Sequence, residues 1–402
     1  MRRVENAVGA RLDPPVDARV IEAADAPQVV RSAATAGTAP EARAAAQDGL
    51  VALGIVPAGV DLLETVAIGA SRSVAGLYVP ADRRLYVVRD PMGSFASRAV
   101  AWMAGRDLIH EMPLAHEIVH AIQHQVRPAL FDSERFLAAH DDVAHAVAAT
   151  YEGHATYYGL LALGLGELPA PDVFRARLRR EFEGRRGTAF PDAPAFVRAG
   201  VFTGYADGYR LAANEAAALL TTPPASTEQV RHAGRRHEPF EAIDLGAARG
   251  ALPEGCAFVA ENGAGELGIA VLLADLGAPE ASLLRASPAA EGWAGDRYVA
   301  ARCAGRREFV WLTLWDAESD AAEFAAAYAT VAHAVRARAD LVAPPLAWRR
   351  GREVVVASPA LAPVAEAIVA GARRGSVTTL ADYFAFWSGP DVTSDRAAAA
   401  TP

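Results

Sequence analysis

Residues 114–123 read Leu114-Ala115-His116-Glu117-Ile118-Val119-His120-Ala121-Ile122-Gln123. Pro113 suits the first turn of a helix and Glu111 stands just ahead of it, so a helix is expected from there to about Gln125. On a helix, positions i and i+4 share one face, one turn apart. His116 and His120 can therefore reach one metal ion at the roughly 2.0–2.1 Å of a zinc–imidazole bond. Glu117 lies about 100° round the helix, on the flank of that face. From there it can contact a metal-held water without taking a ligand position, which suits a general base. The rest of the stretch is apolar. Two imidazoles and a carboxylate buried together cost several kcal/mol unless something pairs them, and a metal ion does so.

A catalytic zinc needs a third protein ligand and an open position. Residues 148–159 (AATYEGHATYYG) offer Glu152, inside a second helical stretch that is poor in charge. Gly153 beside it lowers helix propensity by about 1 kcal/mol, so close packing against the first helix is expected there. Other histidines compete poorly. His124 continues the ladder, but eight residues on a helix is about 12 Å, too far for the same ion. His154 points to the side opposite Glu152. His145 shares the Glu152 face about 10 Å away along it. The metal ligands read from the sequence are thus His116, His120 and Glu152, holding one zinc ion, with Glu117 as the base.

The composition bounds the rest. Of 402 residues, 52% are hydrophobic and 22% charged, which describes a well-cored globular chain rather than a disordered one. The net charge of −9 argues against a nucleic-acid partner, which needs a basic face. No stretch of about 20 apolar residues is present for a membrane span. The basic Met1-Arg2-Arg3 is followed by no apolar core of a signal peptide, which leaves the compartment open between the cytoplasm and secretion after removal of a leader. Cys256 and Cys303 form no CxxC pair, and are compatible with one disulfide or with two buried thiols.

Five blocks, in order, resemble a group of largely uncharacterised bacterial and archaeal gluzincin-like metallopeptidases. They are residues 74–88 (VAGLYVPADRRLYVV), 115–125 (AHEIVHAIQHQ), 149–156 (ATYEGHAT), 223–232 (PPASTEQVRH) and 291–298 (EGWAGDRY). The resemblance implies zinc, with His116, His120 and Glu152 as ligands and Glu117 as base, in agreement with the residues read alone. The chain departs from the family pattern at His124 and His154, where an acid is frequent. It departs again at Ala233-Gly234-Arg235-Arg236-His237, which replaces a Pro-Glu-Lys-Tyr.

The expected fold is α+β: a mostly helical zincin-like metallopeptidase core with a β-hairpin at 74–90, whose strand in the 80s is expected as the edge strand that could hold an extended peptide by backbone pairing, plus a C-terminal α+β unit. The expected divisions are a weakly structured segment (1–40), a gluzincin-like zinc domain (41–250), the C-terminal unit (251–388) and a disordered tail (389–402). Helices are expected at 41–54, 96–108, 133–166, 173–185, 264–276, 279–289, 319–338 and 362–373. Strands are expected at 297–303, 308–315 and 352–357. The implied chemistry is hydrolysis of a peptide or protein substrate. A non-peptide amide or ester, or a non-catalytic zinc-binding scaffold, are the alternatives. The developing oxyanion needs a donor besides the metal. The candidates are His232 and Tyr298, in the resembling blocks, and Tyr157, one turn beyond Glu152. Asp296 and Arg297 are expected to order the C-terminal unit through a turn or salt bridge.

Overall fold

A computed structural model describes residues 1–71, 75–89, 111–132, 140–164, 167–183, 193–278, 284 and 287–388. The fold is α+β, as expected. The helix at 96–108 and the tail at 389–402 lie outside the described residues, as does most of the helix at 279–289 and the beginning of that at 133–166. Among the described residues, no helix is long and apolar enough to cross a membrane.

Two compact units make up the chain. The first comprises Met1–Gln47, Gly59–Ala138 and Val147–Thr221; the second comprises Asp48–Ala58, Ala139–Ala146 and Thr222–Pro402. The division falls at Thr221–Thr222, earlier than the change of pattern near residue 250.

In the first unit, the hairpin forms where two β-prone runs flank a turn. Strands β1 (Asp17–Ile21), β2 (Gly76–Val79) and β3 (Arg84–Val88) make a sheet in the order β1-β3-β2. β2 and β3 are antiparallel, with Tyr78 opposite Leu85, and Arg83 closes the turn at a left-handed φ of 50°. β1 runs parallel to β3, pairing Asp17 with Arg84 through Ile21 with Val88, so the strand of the 80s lies inside the sheet and β2 takes the edge instead, contrary to the sequence reading. Residues 1–40 are therefore structured, contrary to the sequence reading. They form helices α1 (Arg2–Val8) and α2 (Ala26–Thr35) with β1 between them. The signal was weak because four of the five β1 residues are exposed, so the strand shows no alternation of apolar and polar residues.

The helices that matter for the site are α3 (Glu111–Val126), α4 (Asp141–Ala162), α5 (Pro171–Glu183), α6 (Ala195–Phe202) and α7 (Gly208–Leu219). A single π-helical turn, Thr203–Asp207, joins α6 to α7. The first residues of α4, up to Ala146, belong to the second unit.

The second unit is built on an antiparallel sheet of five strands. They are β5 (Cys256–Asn262), β6 (Trp293–Cys303), β7 (Arg306–Trp315), β8 (Leu346–Arg350) and β9 (Glu353–Ala357), in the order β5-β6-β7-β9-β8. β4 (Phe240–Asp244) pairs with β10 (Arg373–Val377). β6 and β7 are buried over nearly their full length. Trp311 and Trp315 on β7 meet Phe324 of the helix Glu318–Ala339 at ring separations of 5.7 and 4.8 Å. Cys256 and Cys303 stand opposite each other at the end of the β5–β6 ladder and are joined by a disulfide.

The EGWAGDRY block is an ordering device for this unit. The Asp296 carboxylate accepts hydrogen bonds from the backbone N–H groups of Ala264 (2.7 Å) and Gly265 (2.8 Å), and from the indoles of Trp293 (3.0 Å) and Trp311 (2.9 Å). Arg297 donates to Glu261 at 2.9 Å. Gly295 is required because a Cβ there would fall 2.4 Å from the Glu241 carbonyl oxygen.

Candidate metal centre

The site is assembled in the first unit from α3, α4 and the π-turn. On α3, His116 and His120 present their Nε2 atoms 2.9 Å apart. On α4, Glu152 brings Oε2 to 3.1 Å from His116 Nε2 and 3.7 Å from His120 Nε2. One ligand atom from each of the three lies within 4.8 Å of the other two, so the group could bind a metal ion. Atoms held about 2.05 Å from one tetrahedral ion stand about 3.3 Å apart, and the three separations bracket that value. Glycine makes the approach possible: a Cβ on Gly159 of α4 would sit 3.3 Å from the backbone nitrogen of His116. Gly153 serves a different contact from the one expected. A Cβ there would meet the backbone of Gly208 on α7 at 2.0 Å, rather than α3.

Each candidate ligand is oriented by a neighbour. His120 Nδ1 donates to the side-chain oxygen of Gln123 at 2.7 Å, which leaves Nε2 as the nitrogen that faces the triad. The Gln123 amide nitrogen donates in turn to the Tyr151 carbonyl (2.8 Å) and to His154 Nδ1 (3.0 Å). Tyr205, on the π-turn, stacks on the His116 ring at 5.7 Å and 18°, with its hydroxyl turned toward the Glu152 carboxylate. Gln123 and Tyr205 were not singled out from the sequence.

The buried imidazoles and carboxylate set each other's charge. Burial opposes charging His120, but the Glu152 carboxylate outweighs it and the imidazole is pushed up to about 9. Burial likewise opposes charging Glu152, yet the two imidazoles hold its carboxyl well below the ordinary range. Without a metal the His120 proton balances the Glu152 carboxylate, and a metal ion that displaced that proton would meet the same three ligand atoms. The donor set fits a divalent transition metal.

Glu117 takes no part in the triad. Its Oε2 accepts the backbone N–H of Tyr78 on β2 at 2.7 Å. Burial raises its carboxyl above the usual value, against the opposing pull of His120 and His116. His124 is tied to the same strand through the Tyr78 hydroxyl, at 2.9 Å.

The three oxyanion candidates fare differently. Tyr157 packs edge-on against Tyr158 at 5.2 Å and lies 6.4 Å from Tyr209, and among the described residues no contact ties it to the triad. Tyr298 is a correction. It is fully buried in the second unit, where a Cβ on Gly49 would stand 2.8 Å from its hydroxyl, so it presents no surface to a substrate. His232 also belongs to the second unit, and its Nε2 lies 2.9 and 3.0 Å from the two oxygens of Glu266, which Arg231 also contacts at 2.6 Å.

Residues 257–379 match a domain of unknown function, DUF8575. The match lies within the second unit and does not include the triad. No curated protein and no solved structure matches the chain.

Proposed function

We propose that the protein is a zinc-dependent metallopeptidase of the gluzincin type. The observation that carries the reading is the pairing of a buried His116–His120–Glu152 triad with a carboxylate, Glu117, that lies beside it and holds no ligand position. A purely structural metal site has no use for that fourth group. A zinc ion at the triad would supply a Lewis acid that polarises a carbonyl and acidifies water.

The protein's own residues carry the proton. Glu117 Oε2 is engaged by the Tyr78 N–H, which leaves Oε1 to take a proton from the attacking water and pass it to the leaving amine. Burial, which lifts the Glu117 carboxyl, favours that exchange near neutrality. β2 is an edge strand, and its Tyr78 N–H already points at Glu117. An extended peptide added along this edge would pass the base, which favours a peptide over a small ester or amide.

The test is Glu117→Gln. The variant should keep one zinc per chain by elemental analysis and lose cleavage of an unstructured protein such as casein by at least about a hundredfold. Undiminished turnover in the variant refutes Glu117 as base. Zinc-loaded wild type that cleaves no peptide favours a non-peptide substrate or a scaffold.

A further inference from the structure

The π-turn Thr203–Asp207 is an interruption within an otherwise α-helical run, α6 to α7. Such turns are rare and cluster at functional sites, because the extra residue rotates the following side chains onto another face. Here the rotated residues meet the triad. A Cβ on Gly204 would lie 3.7 Å from Cγ of Glu152, so the turn's backbone passes directly beside that ligand. The next residue, Tyr205, lays its ring on His116 and turns its hydroxyl toward the Glu152 carboxylate.

The turn is also fixed from below. Asp207 is 1% exposed and pairs with Arg175 of α5 at 3.0 Å and with Arg210 of α7 at 3.6 Å. Arg175 lies over the Phe202 ring at 5.2 Å. A carboxylate on a helix can rotate about its side-chain torsions, and it serves a metal only when one oxygen faces the ion. We infer that Tyr205, carried on a π-turn anchored through Asp207 and Arg175, is the positioning residue that holds Glu152 as third ligand and so sets the affinity of the site for its metal. The inference rests on the metal reading above and adds to it a residue outside the His-Glu-x-x-His helix and the Glu152 helix.

The experiment compares zinc affinity by competition with a chromophoric chelator in wild type, Tyr205→Phe, Arg175→Gln and the control Tyr209→Phe. Each protein's apo melting temperature is measured in parallel. The Tyr209 hydroxyl donates to the Pro169 carbonyl at 2.8 Å, so its removal deletes a tyrosine hydroxyl elsewhere in the same unit. Loss of a group that orients a metal ligand weakens binding about 10- to 100-fold. Tyr205→Phe should show that loss with the apo melting temperature of the control, and the d–d spectrum of its cobalt-substituted form should shift. Arg175→Gln, acting through Asp207, should weaken zinc binding in the same direction and supplies the comparison if Tyr205→Phe does not fold. Wild-type affinity and an unshifted cobalt spectrum in a folded Tyr205→Phe, or in Arg175→Gln where that is the folded variant, would overturn the inference while leaving the metal site intact. Wild type that binds no zinc would overturn both.

Discussion

The side-chain oxygen of Gln123 lies 2.7 Å from Nδ1 of His120, three residues earlier on the same helix. This contact decides which imidazole nitrogen carries the proton, and therefore which one is offered to a metal. The Gln123 amide group also satisfies the Tyr151 carbonyl and His154. Gln123→Leu should weaken zinc binding by about 10- to 100-fold. It should also lower stability by about 1–3 kcal/mol for each buried group left unpaired. Chelator competition and urea unfolding measure the two effects, and wild-type zinc affinity in this variant would show that the contact is incidental.

Metal binding should depend on pH with a definite sign. In the metal-free protein, His120 holds its proton up to about pH 9, against an ordinary value of 6.5. A group with a raised pKa in the folded state adds stability that is full below its unfolded value and is lost as pH climbs through the folded one. That contribution should fade between pH 6.5 and about 9. A metal must displace the same proton. Zinc affinity should therefore climb with pH across that window, with about one proton released per ion at pH 7.5. Calorimetric titration in buffers of different ionisation enthalpy reads the proton count, and a count of zero would contradict the charge assigned to His120.

Gly153 and Gly208 bring α4 and α7 into backbone contact. A methyl group at Gly153 would stand 2.0 Å from the Gly208 carbonyl, and one at Gly208 would stand 2.2 Å from the Ala149 carbonyl oxygen. Neither neighbour is a flexible side chain that can swing aside. Gly153→Ala and Gly208→Ala should each cost about 3 kcal/mol or more. Because Gly153 adjoins Glu152, the first should also disturb zinc binding. Unfolding free energies within about 0.5 kcal/mol of wild type would mean that the two helices separate at little cost.

Much of this site is legible in the chain because its determinants are local. The helix expected to begin around Pro113 and run to about Gln125 spans Glu111–Val126, with Pro113 in its first turn. The spacing of His116 and His120 then follows from helix geometry alone. Glu152 could be sought in the second charge-poor helix because an isolated buried carboxylate demands a partner. Gln123 was within reach as well, since residues i and i+3 share a face. Tyr205 was not, because no spacing rule links position 205 to position 152; the contact arises only once α4, α6 and α7 have packed. The same limit applies to Gly153, whose close approach was expected but whose partner, Gly208, depends on tertiary packing. Short or half-exposed strands such as β4, β5, β8 and β10 lack the alternation that announces a strand. The pairing of Cys256 with Cys303 emerges only from the register of β5 against β6.

The first strand carries a consequence for anyone shortening the protein. β1 covers one edge of β3, whose Leu85-Tyr86-Val87-Val88 run is apolar and β-prone. A chain begun at residue 41 would lose that cover and leave a row of unpaired backbone groups along β3. Exposed edges of this kind recruit other strands. Material lacking the N-terminal forty residues should therefore form oligomers or precipitate even where His116, His120 and Glu152 are untouched.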